Sequence, residues 1–240
     1  MSATMDLHHS IDAKHAQNIG EQSVSDRVQA VIEIVKNSYD ADALNCTVRF
    51  FARSGGSGTL VHIDKIVISD DGIGMTFDDI KNKWMRLATA SKIKDNKSPK
   101  FARTVSGQKG MGHFATQKLG SKIVLISNPE LYKGRKSSDD YDKTLMLSTD
   151  WDTYTPGKSF DEIPNRLVIE PRNDELNQKL YTCKYGLTIE ITNLKEDWTQ
   201  EDVEKVQRHL GALQIPKFLM STEKNVFHAD VKSEGFDLTG

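Results

Sequence analysis

The chain has 240 residues, 37% of them hydrophobic and 28% charged, with a formal net charge of −2. That length buries a core without disulfide or metal staples, and near-neutral mixed charge excludes a global pull toward nucleic acid or acidic lipid. The 2 cysteines, Cys46 and Cys183, cannot build a disulfide framework or a thiolate metal cage, and no apolar run approaches the roughly 20 residues that span a bilayer. Met1 to Lys14 lacks the apolar core of a signal peptide, so the expected location is cytoplasmic. His8-His9, in such a terminus, reads as solvated rather than metal-binding.

Residues 1–19 read as an N-terminal segment, mobile or in contact with a second copy. From Gln22 to Ala43, Val24, Val28, Val31, Ile32 and Val35 recur at helical spacing, with Ser23 or Ser25 placed to cap the N-terminus. Cys46 to Ala52 and Leu60 to Ser69 have the composition of half-buried strands and flank Ser54-Gly55-Gly56-Ser57-Gly58, which predicts a hairpin. Phe77, Ile80, Trp84 and Leu87 share a helical face, giving a second helix over Phe77 to Leu87. Ala88 to Gly107 is small, polar and basic and predicts a long mobile loop. A glycine-rich turn, Gly107 to Gly112, then opens a helix that runs to Leu119. Strands follow at Lys122 to Ser127, Lys143 to Asp150, Arg166 to Glu170 and Gly186 to Asn193. A last helix covers Thr199 to Leu213 and ends near Pro216. This order predicts an α+β fold, a two-layer sandwich with a mostly antiparallel sheet, over residues 20–215 with a lid at about 88–112. The tail 216–240 has no assignment and is expected to lead into a downstream domain.

Glu33, Asn37 and Asp40 stand at i, i+4 and i+7 of the first helix, within roughly a 60° sector. A carboxylate in a cleft can take a proton from water, and an amide oxygen one turn away can coordinate Mg²⁺ without quenching it. Surface carboxylates on a helix are the plain alternative. The stretch Ile66-Val67-Ile68-Ser69-Asp70-Asp71-Gly72-Ile73-Gly74-Met75 is an apolar strand ending in two acids and a flexible turn. An ionised acid there can accept from an exocyclic amine such as adenine N6, although Asp-Gly is also a common turn. Gly107, Gly110 and Gly112 before a helix offer backbone N–H groups to an anion. No strand immediately precedes them, unlike a Rossmann turn, and the P-loop's Gly-Lys-Ser/Thr ending is missing.

Together and in this order, Glu33-Ile34-Val35-Lys36-Asn37-Ser38-Tyr39-Asp40-Ala41, Asp70-Asp71-Gly72-Ile73-Gly74-Met75 and Gly107 to Gly112 resemble the three motifs of the GHKL superfamily. That group takes in gyrase B subunits, heat-shock chaperones of the ninety-kilodalton class, sensor histidine kinases, and MutL with the related MORC proteins. The resemblance covers about residues 20–195, is nearest to MORC-like and MutL-like members, and implies a Bergerat fold that binds ATP with Mg²⁺. By position it implies Glu33 as general base, Asn37 as the Mg²⁺ ligand with Asp40 in support, and Asp70 as the adenine-reading acid beside Gly74 and Met75. Gly107, Gly110, Met111 and Gly112, with the His113 and Phe114 amides, would hold the phosphates. Ala90-Ser91-Lys92 resembles the start of the lid, placing Ser91 and Lys92 near nucleotide, and Lys109 either touches phosphate or is solvated. Two departures stand out. Gly186-Leu187-Thr188 has Leu where a late-strand Thr is usual, so Thr188 should face the other way, and the lysine that such hydrolases receive from a following domain is not identifiable.

The expected activity is Mg²⁺-dependent ATP hydrolysis with lid closure and nucleotide-dependent homodimerisation, in a DNA-maintenance, defence or chaperone-like machine. The alternatives are a histidine kinase, which generally lacks an acid four residues before the Asn, and a nucleotide-gated module with negligible turnover. Lys81, Lys83, Arg86, Lys92, Lys94, Lys97, Lys100, Arg103 and Lys109 would suit a DNA backbone. A loop closing over polyphosphate needs the same charge, however, and no aromatics are interleaved inside it.

Overall fold

The computed structural model describes residues 11–22, 24–52, 62–86, 97–105, 112–175, 184–213 and 225–236. The helices are α1 (Ala13–Gln22), α2 (Arg27–Asp40), α3 (Phe77–Asp79, continued by a π-helical turn Ile80–Trp84), α4 (Gly112–Leu119) and α5 (Gln200–Leu213). Strands β1 (Asn45–Ala52), β2 (Ile63–Asp70), β3 (Gly120–Asn128), β4 (Lys143–Asp150), β5 (Arg166–Pro171), β6 (Gly186–Leu194) and β7 (His228–Glu234) form one 7-stranded sheet, ordered β5-β4-β3-β6-β2-β1-β7. Only the β1–β7 pair is parallel; the other described pairs are antiparallel, as the α+β reading requires.

Strand alternation and helical period meet in one core. Cys46, Val48 and Phe50 of β1, Ile66 and Ile68 of β2, and Ile189 and Ile191 of β6 join Val31, Ile34 and Val35 of α2 and Val203, Val206 and Leu210 of α5. A second cluster, Ile80 with Leu125, Leu145 and Leu147, packs under the turn that follows α3.

Several elements differ from expectation for local reasons. Asp26, rather than Ser23 or Ser25, caps α2: its carboxylate accepts the Gln29 N–H at 2.8 Å, and this bond lowers its pKa. The helix expected over Phe77 to Leu87 is a single α turn started by a Thr76–Asp79 capping box, after which Met85 N–H reaches back to the Ile80 carbonyl at 2.9 Å in π geometry. Strand β7 occupies part of the unassigned tail, setting Ala229 and Val231 beside Cys46 and Val48. Helix α1 lies where no periodic pattern was visible, because its buried face is Ala13, Ala16, Gln17 and Gly20, small or polar rather than bulky and apolar. Gln117 of α4 donates to the Gln17 carbonyl at 2.9 Å, and Gln17 donates to the Trp151 carbonyl at 3.3 Å.

Gly20 lets α1 sit on α4: a Cβ there would fall 2.0 Å from the Phe114 ring, itself buried and unable to swing aside. Gly20→Ala is therefore expected to destabilise the fold by about 1–3 kcal/mol through overpacking. Urea unfolding checks this: a lowered midpoint with unchanged slope is expected. A midpoint equal to the parent's contradicts the packing.

Candidate active site

The site is built where the C-terminal half of α2 meets the end of β2. Ser38 Oγ donates to Asp70 Oδ2 at 2.8 Å, while Asp70 Oδ1 accepts the Gly72 N–H at 2.9 Å and the Leu187 N–H at 3.2 Å. The two adjacent acids of the sequence thus part company. Asp70, 5% exposed, turns inward under α2, whereas Asp71 accepts from the Leu44 and Asn45 N–H groups and from Asn45 Nδ2, each at 2.7 Å. Asp71 holds the chain between α2 and β1; it is Asp70 that meets α2, at Ser38. Ile73 N–H donates to the Ala41 carbonyl at 3.0 Å, closing the junction from the loop side.

Along α2, Asn37 is half-buried and adjoins Ser38, Asp40 is buried, and Glu33 sits one turn before Asn37 with its side chain 37% exposed. Glu33 Oε1 accepts from Gln29 Nε2 at 2.8 Å and from Lys36 Nζ at 2.9 Å. The helix stops where Asp42 enters the left-handed region, at φ +60°. The buried Asp42 carboxylate accepts from Ser98 Oγ and from the Lys100 and Phe101 N–H groups. Arg103 donates to the Ala43 carbonyl at 2.6 Å and the Tyr39 carbonyl at 3.3 Å, a cation at a helix C-terminus. Residues 97–105, expected as part of a mobile loop, are therefore pinned to the end of α2.

The loop after β2 is held from outside. Gly74 has φ +59°, and a Cβ on it would fall 2.5 Å from the Asn128 carbonyl oxygen, so glycine is required there twice over. Met75 is fixed by Ser127, whose Oγ accepts the Met75 N–H at 2.6 Å and donates to the Met75 carbonyl at 2.8 Å. Gly186 at φ +120° lets β6 start against β2, where a Cβ would overlap the Asp70 carbonyl oxygen at 1.9 Å. Thr188 pairs in register with Ser69 and donates to its Oγ at 3.1 Å, on the sheet face opposite Asp70. That is the orientation the shifted Gly-Leu-Thr sequence implies.

Helix α4 packs directly on α2 and begins at Gly112, so Gly112, His113 and Phe114 belong to its first turn. The Phe114 ring is committed to the core beside Trp151. Ser91, Lys92, Gly107, Lys109, Gly110 and Met111 lie outside the described residues. Sequence reasoning missed Ser38, Ser127, Arg103 and Arg135. Ser38 at least sits inside the helix motif.

Several of the basic residues turn toward the protein. Lys83 pairs with Asp79 at 2.6 Å and Lys100 with Glu130 at 2.8 Å, and Arg103 is bound to main-chain carbonyls, so the described part of this stretch is less free for an external polyanion than its composition implied. A cavity between the α3 turn and β3–β4, lined among others by Trp84, Thr116 and Trp151, measures about 20 Å³, room for one water. No described helix is long and apolar enough to cross a membrane.

Residues 25–166 match the family described as histidine kinase-, DNA gyrase B- and HSP90-like ATPase, a stretch that takes in α2, β2, Asp70 and α4. The chain belongs to that family. It is also 30% identical over 98 residues to the putative type II restriction enzyme HgiDII of Herpetosiphon aurantiacus and 35% identical over 99 residues to the DNA mismatch repair protein MutL of Clostridium tetani (strain Massachusetts / E88). Each match covers 41% of this chain and 14% of the relative. Family, sheet topology and motif order agree with the GHKL resemblance drawn from the sequence.

Burial raises the Asp70 carboxyl from 3.8 to about 6, against the opposing pull of its three hydrogen bonds. Because the folded-state value is the higher one, its contribution to stability is complete below pH 3.8 and lost as pH rises through about 6. The ¹³C shift of the Asp70 carboxyl is expected to titrate near pH 6; a midpoint at or below the ordinary 3.8 contradicts the burial described.

Proposed function

We propose that this domain binds ATP with Mg²⁺ and hydrolyses it, using Glu33, Asn37 and Asp70 as the resemblance implies. The observation that carries the proposal is the buried Asp70 carboxylate, joined through Ser38 to the helix that bears Glu33 and Asn37, in a chain of this ATPase family. An ionised carboxylate has roughly four acceptor positions, and the described donors use three, leaving capacity for an exocyclic amine such as adenine N6.

The donor set fits Mg²⁺. Asn37 supplies a neutral, hard oxygen, which suits an ion that keeps waters and shares substrate phosphates. Mg²⁺ held there with Asp40 in support would offset charge on the phosphate oxygens. Gln29 and Lys36 hold the Glu33 carboxylate in place by hydrogen bonds, as orienting an attacking water requires. The first-turn amides of α4 (Gly112, His113, Phe114) suit the phosphates, with Gly107, Gly110 and Met111 before them in the chain, while the resemblance assigns Ser91 and Lys92 to the start of the lid and leaves Lys109 either on phosphate or solvated. An acid at position 33 favours hydrolysis over histidine-kinase phosphotransfer.

The matched stretch is a small part of each relative, which favours a role in which nucleotide governs dimerisation or docking of a larger assembly. One relative is named for DNA mismatch repair and the other as a restriction enzyme, so a DNA-maintenance or defence machine is the setting we favour.

Glu33→Gln is expected to leave ATP affinity within about twofold while turnover falls by roughly a hundredfold or more, the usual contribution of a general base. Asp70→Asn should instead weaken ATP binding, by about tenfold for one charge-assisted hydrogen bond. Calorimetry and phosphate release measure the two effects separately. Parent-like turnover in Glu33→Gln, or parent-like affinity in Asp70→Asn, would show the assigned roles to be wrong.

A further inference from the structure

Arg135 lies in a loop whose sequence, Lys133-Gly134-Arg135-Lys136, reads as solvated, yet its side chain is only 8% exposed. The guanidinium reaches four oxygens. Nη1 donates to the carbonyls of Ile73 at 2.6 Å and Glu130 at 2.7 Å, and Nη2 donates to the Gly74 carbonyl at 3.0 Å and to Asp79 Oδ2 at 2.8 Å. Tyr132 and Tyr141 each stand 5.6 Å from it, ring centroid to guanidinium carbon. Ile73 O also accepts the Glu130 N–H at 2.9 Å. A buried guanidinium is tolerated only when its donors are satisfied, and two of this one's four acceptors are backbone carbonyls of the loop that follows Asp70.

Glycines leave that loop the fewest conformational restraints of its own, so its shape must be imposed by contacts. Arg135 imposes it at Ile73 and Gly74, and through Asp79 ties the loop to the cap of α3. Burial works to raise the Asp79 carboxyl, but Lys83, Arg135 and the Thr76 N–H outweigh it and hold the group at about 2, so this carboxylate stays ionised at any ordinary working pH. Lysine could not do the same work, because a point charge cannot span the carbonyls as a planar fork does.

We propose that Arg135 is a positioning residue for base recognition: by fixing the Ile73 and Gly74 carbonyls it sets the loop against which Asp70 reads the nucleotide base. This rests on the reading of the site as an ATP site. It assigns to Arg135 the preference for an exocyclic amine over an exocyclic oxygen, without any contact to the ligand.

The test compares ATP with inosine triphosphate, which differs in carrying oxygen where adenine carries its amine, each competing with a fluorescent nucleotide for the parent, Arg135→Gln and Arg27→Ala. Arg27 pairs with Glu196 and Asp202 at the far end of α2 and serves as a control for general loss of stability. The parent should prefer ATP, and in Arg135→Gln that preference should fall by roughly tenfold, the equivalent of one charge-assisted hydrogen bond, while Arg27→Ala keeps it. If Arg135→Gln does not fold, Arg135→Lys takes its place and is expected to lose preference in the same direction. A folded Arg135 variant with the parent's preference, or an equal loss in Arg27→Ala, overturns the inference alone. A parent that binds no ATP overturns the reading of the site, and the inference with it.

Discussion

Placing a carboxylate inside the protein, where the first long helix meets the second strand, is the constraint on which the site depends. Carrying a charge there costs the fold about 3 kcal/mol at neutral pH relative to an exposed carboxylate. It is tolerated because donors from α2, from the loop after β2 and from the start of β6 converge on it. Those donors come together only when helix and sheet are docked, so forming the fold and forming the pocket are one event. A helix held loosely on the sheet would leave Ser38 too far away and the acid short of one of its three donors.

Two arginines complete what the main chain leaves open at this junction. Arg103 answers the carbonyls at the end of α2 and stacks on Tyr39 and Phe101 at 4.9 Å each, while Arg135 answers those of the loop after β2. Neither resembles a solvated surface charge. Both show why counting basic residues along a stretch is a weak guide to polyanion binding: a guanidinium that faces backbone oxygens is already occupied.

Much of the architecture was legible because strong periodicity leaves little choice. The apolar, β-branched runs of β1 and β2 and the valine and isoleucine spacing in α2 gave away the type of those elements, and their buried residues join one core. The order of the three motifs resembled that of the family whose model residues 25–166 match. What escaped had weak local signals. Helix α1 buries alanine, glycine and glutamine, β7 is recruited to the sheet edge by β1, and Asp26 outcompetes neighbouring serines because it offers a charged acceptor at the helix N-terminus. Arg135 had no signal, since the Ile73 and Gly74 carbonyls that it holds lie about sixty positions away and meet it only through tertiary structure.

The central claim is that the helix row bearing Asn37 and the loop after Asp70 form a single nucleotide site. Amide chemical-shift mapping during titration with Mg²⁺ and a non-hydrolysable ATP analogue tests it most directly. The account predicts saturable shifts concentrated at Asn37, Ser38, Gly72, Gly74 and Gly112, with β7 and the outer face of α5 unmoved. Shifts that fall elsewhere, or a spectrum that the analogue leaves unchanged at millimolar concentration, would contradict it.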